Sequence, residues 1–209
     1  MRIGIVGSGK IGGTLTELFA RHGHEVTVAN SRGPDSLGEL VERAGDNVRA
    51  GTVADVASFG DVVVVALPLA AYDTLPSDRF DGKVVIDTGN YYPSRDGEID
   101  VLESDQTTST ELLGKSLPGA RLVKAFNTMN YVPLGSEGRP GQPRAERLAM
   151  FLAGDDREAK ELVAGLIDEL GFAPVDTGSL AEGGRRQQPG APVYGELLRA
   201  EDAEAALSG

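Results

Sequence analysis

The sequence has no cysteine, no tryptophan and only two histidines among its 209 residues. A chain without cysteine cannot form a disulfide, an iron–sulfur cluster or a thiolate nucleophile, and it lacks the usual ligands of a structural zinc site. We therefore expect neither thiol chemistry nor a metal centre, and any catalysis must use other groups.

Basic residues are also scarce, because 20 Lys and Arg stand against 32 Asp and Glu, which gives a net charge of −12. Binding to nucleic acids or to anionic membranes depends on clustered cations. No segment approaches the ~18 apolar residues that a membrane-spanning helix needs. The first seven residues are too short and too broken by glycine for a signal peptide. We expect a soluble, cytoplasmic protein that binds neither nucleic acid nor membrane.

Glycine, in contrast, is abundant, with 28 residues or about 13% of the chain, against a usual share of roughly 7%. Three of these glycines belong to the motif Gly7-Ser8-Gly9-Lys10-Ile11-Gly12, which is G-x-G-x-x-G. In such a motif the glycines allow a tight turn, close approach of a pyrophosphate, and packing of the helix on the strand. The helix N-terminus then offers free N–H groups to phosphates.

The spacing of this motif is weak evidence by itself in a glycine-rich chain, and an ordinary βα turn is the alternative. Its context strengthens the interpretation, because the apolar run 3–6 precedes it and a helix predicted over 10–21 follows it. We therefore predict a dinucleotide-binding turn.

Strands and helices alternate along the chain, and the apolar runs at 61–67 and 83–87 are typical of strands covered on both faces. This pattern predicts an α/β fold, a Rossmann-type doubly wound, mostly parallel sheet with a small C-terminal extension. We assign residues 1–177 to the nucleotide-binding domain, including a late strand–helix–strand over 147–176, and residues 178–209 to the extension. Within these ranges we expect loops at 135–141 and 178–192, a helix capped by Asp155, and a last helix over 193–207.

The end of the second strand indicates which dinucleotide binds. In this fold an acidic residue there would hold the ribose hydroxyls of NAD, but the sequence reads Ala-Asn30-Ser31-Arg32-Gly-Pro. An arginine fork matches a phosphate group. We therefore predict NADP(H), with Asn30, Ser31 and Arg32 near the 2′-phosphate; the alternative is that Arg32 is a solvated loop cation.

The ends of the later strands supply the other candidate residues, since ligands of this fold bind at the carboxyl edge of the sheet. Leu67, Pro68, Thr88 and Asn90 are the expected cofactor contacts, and the segment Asn127-Thr128-Met129 is the expected acceptor contact. These residues offer hydrogen bonds and apolar surface but no obvious proton donor.

The remaining titratable residues do not supply an obvious one either. His22 and His24 follow the first helix, at the amino edge of the sheet, and are expected at the surface. Tyr91, Tyr92 and Tyr131 are possible exceptions, although packing or loop roles are the favoured interpretation. A catalytic lysine is not supported, because Lys83, Lys115 and Lys124 begin strands, end helices or lie inside strands. We therefore expect hydride transfer between bound cofactors, without a catalytic acid or base, because the cofactors carry that chemistry themselves.

Three segments together, Gly7–Gly12, Ala29–Pro34 and Val123–Met129, give the chain a resemblance to a known family. It resembles the NADPH-dependent F420 reductases (F420H2:NADP oxidoreductases), and is similar to the cytosolic domain of the six-transmembrane epithelial antigen metalloreductases. The resemblance implies an NADP-dependent oxidoreductase in which NADPH passes hydride to the deazaflavin coenzyme F420 or to a flavin, FMN or FAD.

The resemblance also implies residue roles. Ser31 and Arg32 would hold the 2′-phosphate, and Ser8, Lys10 and Ile11 would line the pyrophosphate. Leu67 and Pro68 would flank the nicotinamide, and the segment 127–129 would face the stacked rings. The segment Arg185-Arg-Gln-Gln-Pro189 would either meet an anionic deazaflavin tail or form a solvated basic loop.

Two other functions remain open at this point. One is an NADP-dependent reductase of a small imine or carbonyl substrate, which is disfavoured by the short chain after the last predicted strand. The other is a non-catalytic NADP(H) sensor, which the missing proton donor favours. A homodimer is compatible with each of the three.

Overall fold

The computed structural model describes the backbone of residues 1–208 and their side chains except those of residues 204 and 208; Gly209 lies outside it. Eight strands form one sheet in the order β3-β2-β1-β4-β5-β6-β7-β8. Every neighbouring pair is parallel except β6 and β7, which are antiparallel. The strands are β1 (Arg2–Val6), β2 (Glu25–Ala29), β3 (Val48–Ala50), β4 (Val62–Val65), β5 (Val84–Asp87), β6 (Arg121–Ala125), β7 (Ala149–Gly154) and β8 (Ala173–Asp176).

Helices cover both faces of this sheet. They are α1 (Lys10–Arg21), α2 (Gly38–Ala44), α3 (Val53–Phe59), α4 (Pro93–Asp96), α5 (Asp100–Glu103), α6 (Ser109–Ser116), α7 (Tyr131–Ser136), α8 (Arg157–Glu169), α9 (Leu180–Arg186) and α10 (Ala200–Ser208). Successive strand residues point to opposite faces, so Val62 and Val64 pack with α1 and α8 while Val63 and Val65 pack with α3 and α6. The predicted Rossmann-type, mostly parallel doubly wound sheet is confirmed.

The strand order fixes where a ligand can bind. The chain first winds outward from β1 through β2 to β3 and then returns to β4 on the other side of β1. The crevice outside the carboxyl ends of β1 and β4 is therefore the switch point where this fold binds its ligands. The segments that the sequence assigned to the site follow β1, β2, β4, β5 and β6, so they all lie at the carboxyl edge of the sheet.

One predicted loop largely agrees with the structure, and the other contains a helix. In the predicted loop 135–141, residues 137–141 belong to no helix or strand, and the first two residues end α7. The Asn130 side chain caps α7, because it accepts a hydrogen bond from the N–H of Val132 at 3.0 Å. Residues 180–186 form α9, capped by Ser179, which accepts from the N–H of Glu182 at 3.1 Å. The glycines of α9 serve close packing, because a Cβ at Gly183 would lie 2.7 Å from the Thr177 Oγ1.

Several predicted boundaries were wrong by a few residues. The late strand begins at Ala149 and not at residue 147, and the cap of α8 is Asp156, which accepts from the N–H of Ala159 at 3.0 Å, and not Asp155. The last helix begins at Ala200 and not at residue 193. The residues before it are held in extended form by the sheet, since the N–H of Ala149 donates to the carbonyl of Leu198 at 2.8 Å.

His24 was also misplaced by the sequence interpretation, because it is only 6% exposed and not a surface residue. Its ring lies between the N-terminal ammonium group of Met1, 3.2 Å from Nδ1, and Glu169, 3.2 Å from Nε2. Burial in this position lowers the pKa of the imidazole. Both contacts belong to the amino edge of the sheet, far from the switch point.

Candidate functional site

The glycine turn after β1 has the shape that phosphate binding requires. Gly7 adopts a φ of +108°, and a Cβ there would lie 2.2 Å from the carbonyl oxygen of Ala66. A Cβ at Gly12 would lie 1.9 Å from the carbonyl oxygen of Gly7, so α1 packs on the turn only because this residue is glycine. Gly9 faces open space at the start of α1, without a side-chain cap. The N-terminal N–H groups of α1 are thus left for an anion.

The segment after β2 lies beside this turn. The Asn30 amide donates to the hydroxyls of Ser8 at 3.0 Å and Ser36 at 2.9 Å, while its oxygen accepts from the N–H of Arg32 at 2.9 Å. Asn30 therefore ties the loop of Ser31 and Arg32 to the glycine turn, and both of these side chains are exposed. Among the side chains that the structure describes, no carboxylate forms an ion pair with Arg32, so its guanidinium is available for a phosphate.

A cleft of about 380 Å³ runs between these two segments, and we call it the loop cleft. Its lining is mainly polar and includes Ser8, Gly9, Lys10, Arg32 and Ser36. Hydroxyl groups, a lysine and an arginine facing the start of a helix make a favourable environment for phosphate groups.

A second cleft of about 340 Å³ opens at the ends of β5 and β6, and we call it the central cleft. It brings together cofactor and acceptor residues that the sequence had placed apart. They are Lys10 and Ile11 (expected at the pyrophosphate), Thr88 and Asn90 (expected cofactor contacts), and Asn127, Thr128 and Met129 (expected acceptor contacts). Leu67 and Pro68 follow β4 at the same edge, where a Leu67 methyl group lies 3.3 Å from a Cβ built at Gly7. Neither residue is part of the lining of the loop cleft or the central cleft.

Asn127 carries the clearest sign of a missing partner in this cleft. Its Nδ2 donates to the Asn90 Oδ1 at 3.1 Å and to the carbonyl of Gln187 at 2.9 Å, which fixes the orientation of the amide. Its Oδ1 is buried and has no hydrogen-bond partner in the structure. A buried acceptor without a partner is costly, and the N–H groups of a nicotinamide carboxamide would satisfy it.

The backbone before Asn127 is strained. Phe126 has a φ of +61°, which a bulky side chain rarely adopts, and costs on the order of 1 kcal/mol. The ring is fully buried and packs edge-on against Phe19, with centroids 6.3 Å apart. Packing thus enforces a turn that directs the segment 127–129 into the central cleft.

Two phenol groups also line the central cleft, those of Tyr92 and Tyr194. The sequence left Tyr92 open as a proton donor but favoured a packing or loop role, and Tyr194 was not considered. Their hydroxyls are hydrogen-bonded to each other, and the Asn90 Nδ2 lies 3.4 Å from the Tyr194 Oη. The N–H of Gly195 donates to the carbonyl of Thr128 at 2.9 Å, which anchors the C-terminal segment over the cleft. The separation of 102 residues leaves no local signal for this pairing.

The segment 185–189 is held in place at Arg185 and Gln187, while Arg186 is exposed. Arg185 donates to the carbonyls of Ala181, at 2.5 Å, and Asp105. Gln187 is fully buried, and its Nε2 donates to the Thr177 Oγ1 at 2.7 Å. This segment supports Asn127 from below, and Arg185 is engaged by backbone groups.

A buried ionic cluster lies behind the turn after β5. The Lys124 Nζ donates to the carbonyl of Gly89 at 2.8 Å and lies 3.8 Å from an oxygen of Asp87. The other Asp87 oxygen accepts from the N–H of Gly89 at 2.8 Å and from the Tyr72 hydroxyl at 3.0 Å. Burial lowers the pKa of Lys124, which is 1% exposed. Lys124 lines neither cleft, and it fixes the Thr88–Asn90 turn from inside the sheet.

Metal binding and membrane insertion have no counterpart in the part of the chain that the structure describes. Among its side chains, no group of three or more His, Asp or Glu is arranged to hold a metal ion. No helix in the same part of the chain has the length and hydropathy required to cross a membrane.

Comparison with known proteins agrees with this geometry. Residues 2–91 match the family model described as NADP oxidoreductase coenzyme F420-dependent. The hypothetical protein SMa0349 from Sinorhizobium meliloti is 35% identical, with a TM-score of 0.81 over 95% of both chains. A protein from Arthrobacter sp. FB24, assigned as an F420-dependent NADP-reductase, is 27% identical, with a TM-score of 0.73 over 90% of both chains.

The chain is also similar to a metalloreductase. It is 30% identical to the metalloreductase STEAP3 of Rattus norvegicus over 182 residues, which are 86% of this chain and 34% of that protein. The chain thus spans about a third of the length of the metalloreductases it matches. The glycine turn and the Arg32 loop thus lie in the part of the chain that matches a family of NADP oxidoreductases, and the whole chain shares its fold with a protein assigned to that class.

Proposed function

We propose that the protein transfers hydride between NADPH and a deazaflavin, coenzyme F420, or a flavin. The observation that carries this proposal is the meeting of three features on one sheet edge. An uncapped helix start meets open space at Gly9, Arg32 after β2 has no ion-pair partner among the described side chains, and Asn127 in the central-cleft lining has a buried amide oxygen without a partner. These three features match the pyrophosphate, the 2′-phosphate and the carboxamide of NADPH, respectively.

In this proposal the glycine turn, with Gly7, Ser8, Gly9, Lys10, Ile11 and Gly12, binds the pyrophosphate. Asn30, Ser31 and Arg32 select the 2′-phosphate, since no carboxylate stands at the end of β2 to prefer a free ribose. Bound NADPH supplies the hydride. Leu67, Pro68, Thr88 and Asn90 surround the cofactor beyond the phosphates, and Asn127 orients the carboxamide.

The acceptor is proposed to contact Thr128 and Met129, on the far side of the nicotinamide. Met129 is buried and gives apolar, polarisable surface, while Thr128 offers a hydroxyl group. Such a surface suits a flat ring that must stack at van der Waals distance with water excluded. The match to the family model supports F420, and the similarity to a metalloreductase supports electron transfer in a wider sense.

Reduction of a small carbonyl or imine compound is a second candidate. The observation that favours it is the pair of phenol groups in the central cleft, because reduction of such a substrate calls for a proton donor.

Single-turnover mixing of the protein with NADPH or NADH, followed by F420, FMN, or a carbonyl and imine panel, tests the proposal. We expect oxidation of NADPH by F420 or FMN. Exclusive turnover of carbonyl or imine compounds would support the second candidate instead, and NADPH binding with no turnover of any acceptor would make the protein a sensor.

Arg32→Ala tests the cofactor assignment. We expect its NADPH affinity to fall by about 10- to 100-fold, as for a lost charge-assisted hydrogen bond, and its NADH affinity to stay unchanged. Arg43→Ala is the matched control, because Arg43 lines the same cleft but pairs with Glu17 at 3.0 Å. An equal loss in both variants would mean that only the general positive potential matters.

The proposal retains two properties expected from the sequence, a cytoplasmic location and a homodimer. Sedimentation velocity with and without NADP+ measures the second, and a monomer under both conditions would exclude it.

A further inference from the structure

Tyr92 and Tyr194 approach the central cleft from different parts of the chain and are held there by the backbone. The N–H of Tyr92 donates to the Asp96 Oδ2 at 2.9 Å, which fixes the loop after β5. Tyr194 is fixed by its neighbour Gly195, whose N–H donates to Thr128. Their two hydroxyls form one hydrogen bond beside the residues proposed to face the acceptor.

The surroundings distinguish the two hydroxyls. Burial, and then the hydrogen bond with Tyr92, raise the pKa of Tyr194, so Tyr194 holds its proton more firmly than a free phenol. The guanidinium carbon of Arg95 lies 5.0 Å from the centroid of the Tyr92 ring. A cation over the ring and a neighbouring hydroxyl would stabilise the phenolate that proton donation by Tyr92 leaves behind.

The other charged groups around the pair act in opposite directions. The Asp96 carboxylate is paired with Arg95 at 2.8 Å, so part of the arginine charge is neutralised. The Lys10 Nζ lies in the same cleft, 4.8 Å from the centroid of the Tyr131 ring, and adds positive potential. Within the central cleft lining, no carboxylate faces the two hydroxyls.

We propose that Tyr92 is a catalytic residue that donates the proton completing the reduction, and that Tyr194 and Arg95 are positioning residues that stabilise the phenolate left behind. This inference rests on the proposed function. Hydride transfer moves a proton and two electrons, as one C–H bond of the dihydronicotinamide breaks and a bond to hydrogen forms on the acceptor. The neutral acceptor thereby gains one negative charge.

The proton balances this charge. The O–H bond of Tyr92 breaks, an N–H or O–H bond forms on the reduced acceptor, and the phenolate takes a proton from Tyr194, which is restored from water. A phenol adds nothing to the binding of the nicotinamide half of NADP+, so its loss should reduce the rate far more than the affinity. The same role serves a deazaflavin, a flavin or a carbonyl compound.

Tyr92→Phe, Tyr194→Phe and Tyr91→Phe test the proposal. Tyr91 is the matched control, because its hydroxyl donates to Glu103 at 2.7 Å, outside the central cleft. With FMN as the probe acceptor, we expect Tyr92→Phe to lower the single-turnover rate about 100-fold or more, the usual share of a general acid. Tyr194→Phe should lower it about 10-fold, as an indirect contributor. Affinity for NADP+ should change less than about 3-fold in each variant.

A rate for Tyr92→Phe within about 3-fold of the parent, or an equal loss in Tyr91→Phe, overturns the role of Tyr92. A rate for Tyr194→Phe equal to that of the parent overturns the role of the hydroxyl pair. If the parent protein itself oxidises no NADPH, the proposed function fails, whichever variant is compared with it.

Discussion

The loop cleft and the central cleft differ in how the chain builds them. The loop cleft is lined by residues of two continuous segments, 8–17 and 32–43, and the hydrogen bonds of Asn30 beside it join residues at most 22 positions apart. In the central cleft the hydrogen bonds of Asn127 span 37 and 60 residues, and that of Tyr194 spans 102. A steric requirement within one turn can be predicted from the local sequence, because it demands glycine at a fixed position. A hydrogen-bond partner from a distant segment cannot be predicted in this way.

The largest effect should follow from removing the ionic cluster that supports the central cleft. We expect Lys124→Met to lower the free energy of unfolding by about 3–5 kcal/mol, because it leaves Asp87 buried without its cation. It should also loosen the turn at Gly89, whose carbonyl Lys124 holds. Urea denaturation measures the first effect, and hydrogen exchange at residues 88–90 measures the second.

The double variant Lys124→Met/Asp87→Asn provides the control for that prediction. It removes both charges and keeps an Oδ1 acceptor for Gly89 and Tyr72, so it should be more stable than the single variant. If the two substitutions are simply additive, the two charges are not coupled, and the central cleft does not depend on this ion pair.

A smaller effect should separate two glycines of the loop cleft. Gly12→Ala should cost about 2–3 kcal/mol of stability, because the added Cβ would lie 1.9 Å from a backbone oxygen that must move. Gly9→Ala should leave stability almost unchanged, because its Cβ meets nothing within 4 Å. Thermal unfolding and NADP+ titration of both variants measure the difference.

Gly9→Ala should nevertheless weaken NADP+ binding, since the methyl group occupies the space that a phosphate would approach. A Gly9→Ala protein with full affinity would mean that the pyrophosphate does not lie against this turn. The loop cleft would then no longer be assigned to the cofactor phosphates, although the description of the fold would not change.

Much of the fold was predictable from local patterns. The bounds of α1 and β2 agree with the expected ones, because an apolar strand, a glycine turn and a helical repeat follow each other without interruption. The glycines that end helices, such as Gly23 and Gly171, have positive φ values of 84° and 85°. The sequence also indicated which positions of the turn require glycine. A Cβ at Gly7 or at Gly12 would collide with a backbone oxygen.

The errors lie where capping or sheet contacts outweigh composition. The segment 180–186 is rich in glycine, yet a serine cap and close packing on Thr177 make it a helix. The start of the last helix moved because an extended segment before it pairs with the beginning of β7. The same long-range placement brings Tyr194 to the central cleft, so the search for a proton donor among strand ends alone was incomplete.

The smallest expected effect concerns the hydrogen bond between His24 and Glu169, at the amino edge of the sheet. His24 follows α1, and Glu169 ends α8, 145 residues later. The N-terminal ammonium donates to Nδ1, so the neutral ring carries its proton on Nε2 and donates it to Glu169. If the ring were also protonated on Nδ1, that proton would point at the N-terminal ammonium group. Burial and this ammonium lower the pKa of His24, although Glu169 opposes them.

Because the folded protein binds this proton less readily than the unfolded chain, its stability should fall as the pH drops below the unfolded pKa of about 6.5. The loss should stay below about 1 kcal/mol down to the lowered pKa of the folded state. Chemical denaturation between pH 7 and pH 5 should show this slope in the parent protein and in His22→Gln, but not in His24→Gln. NADP+ affinity should be equal in all three, since both histidines lie at the amino edge; a weaker affinity in His24→Gln alone would show that the two edges are coupled.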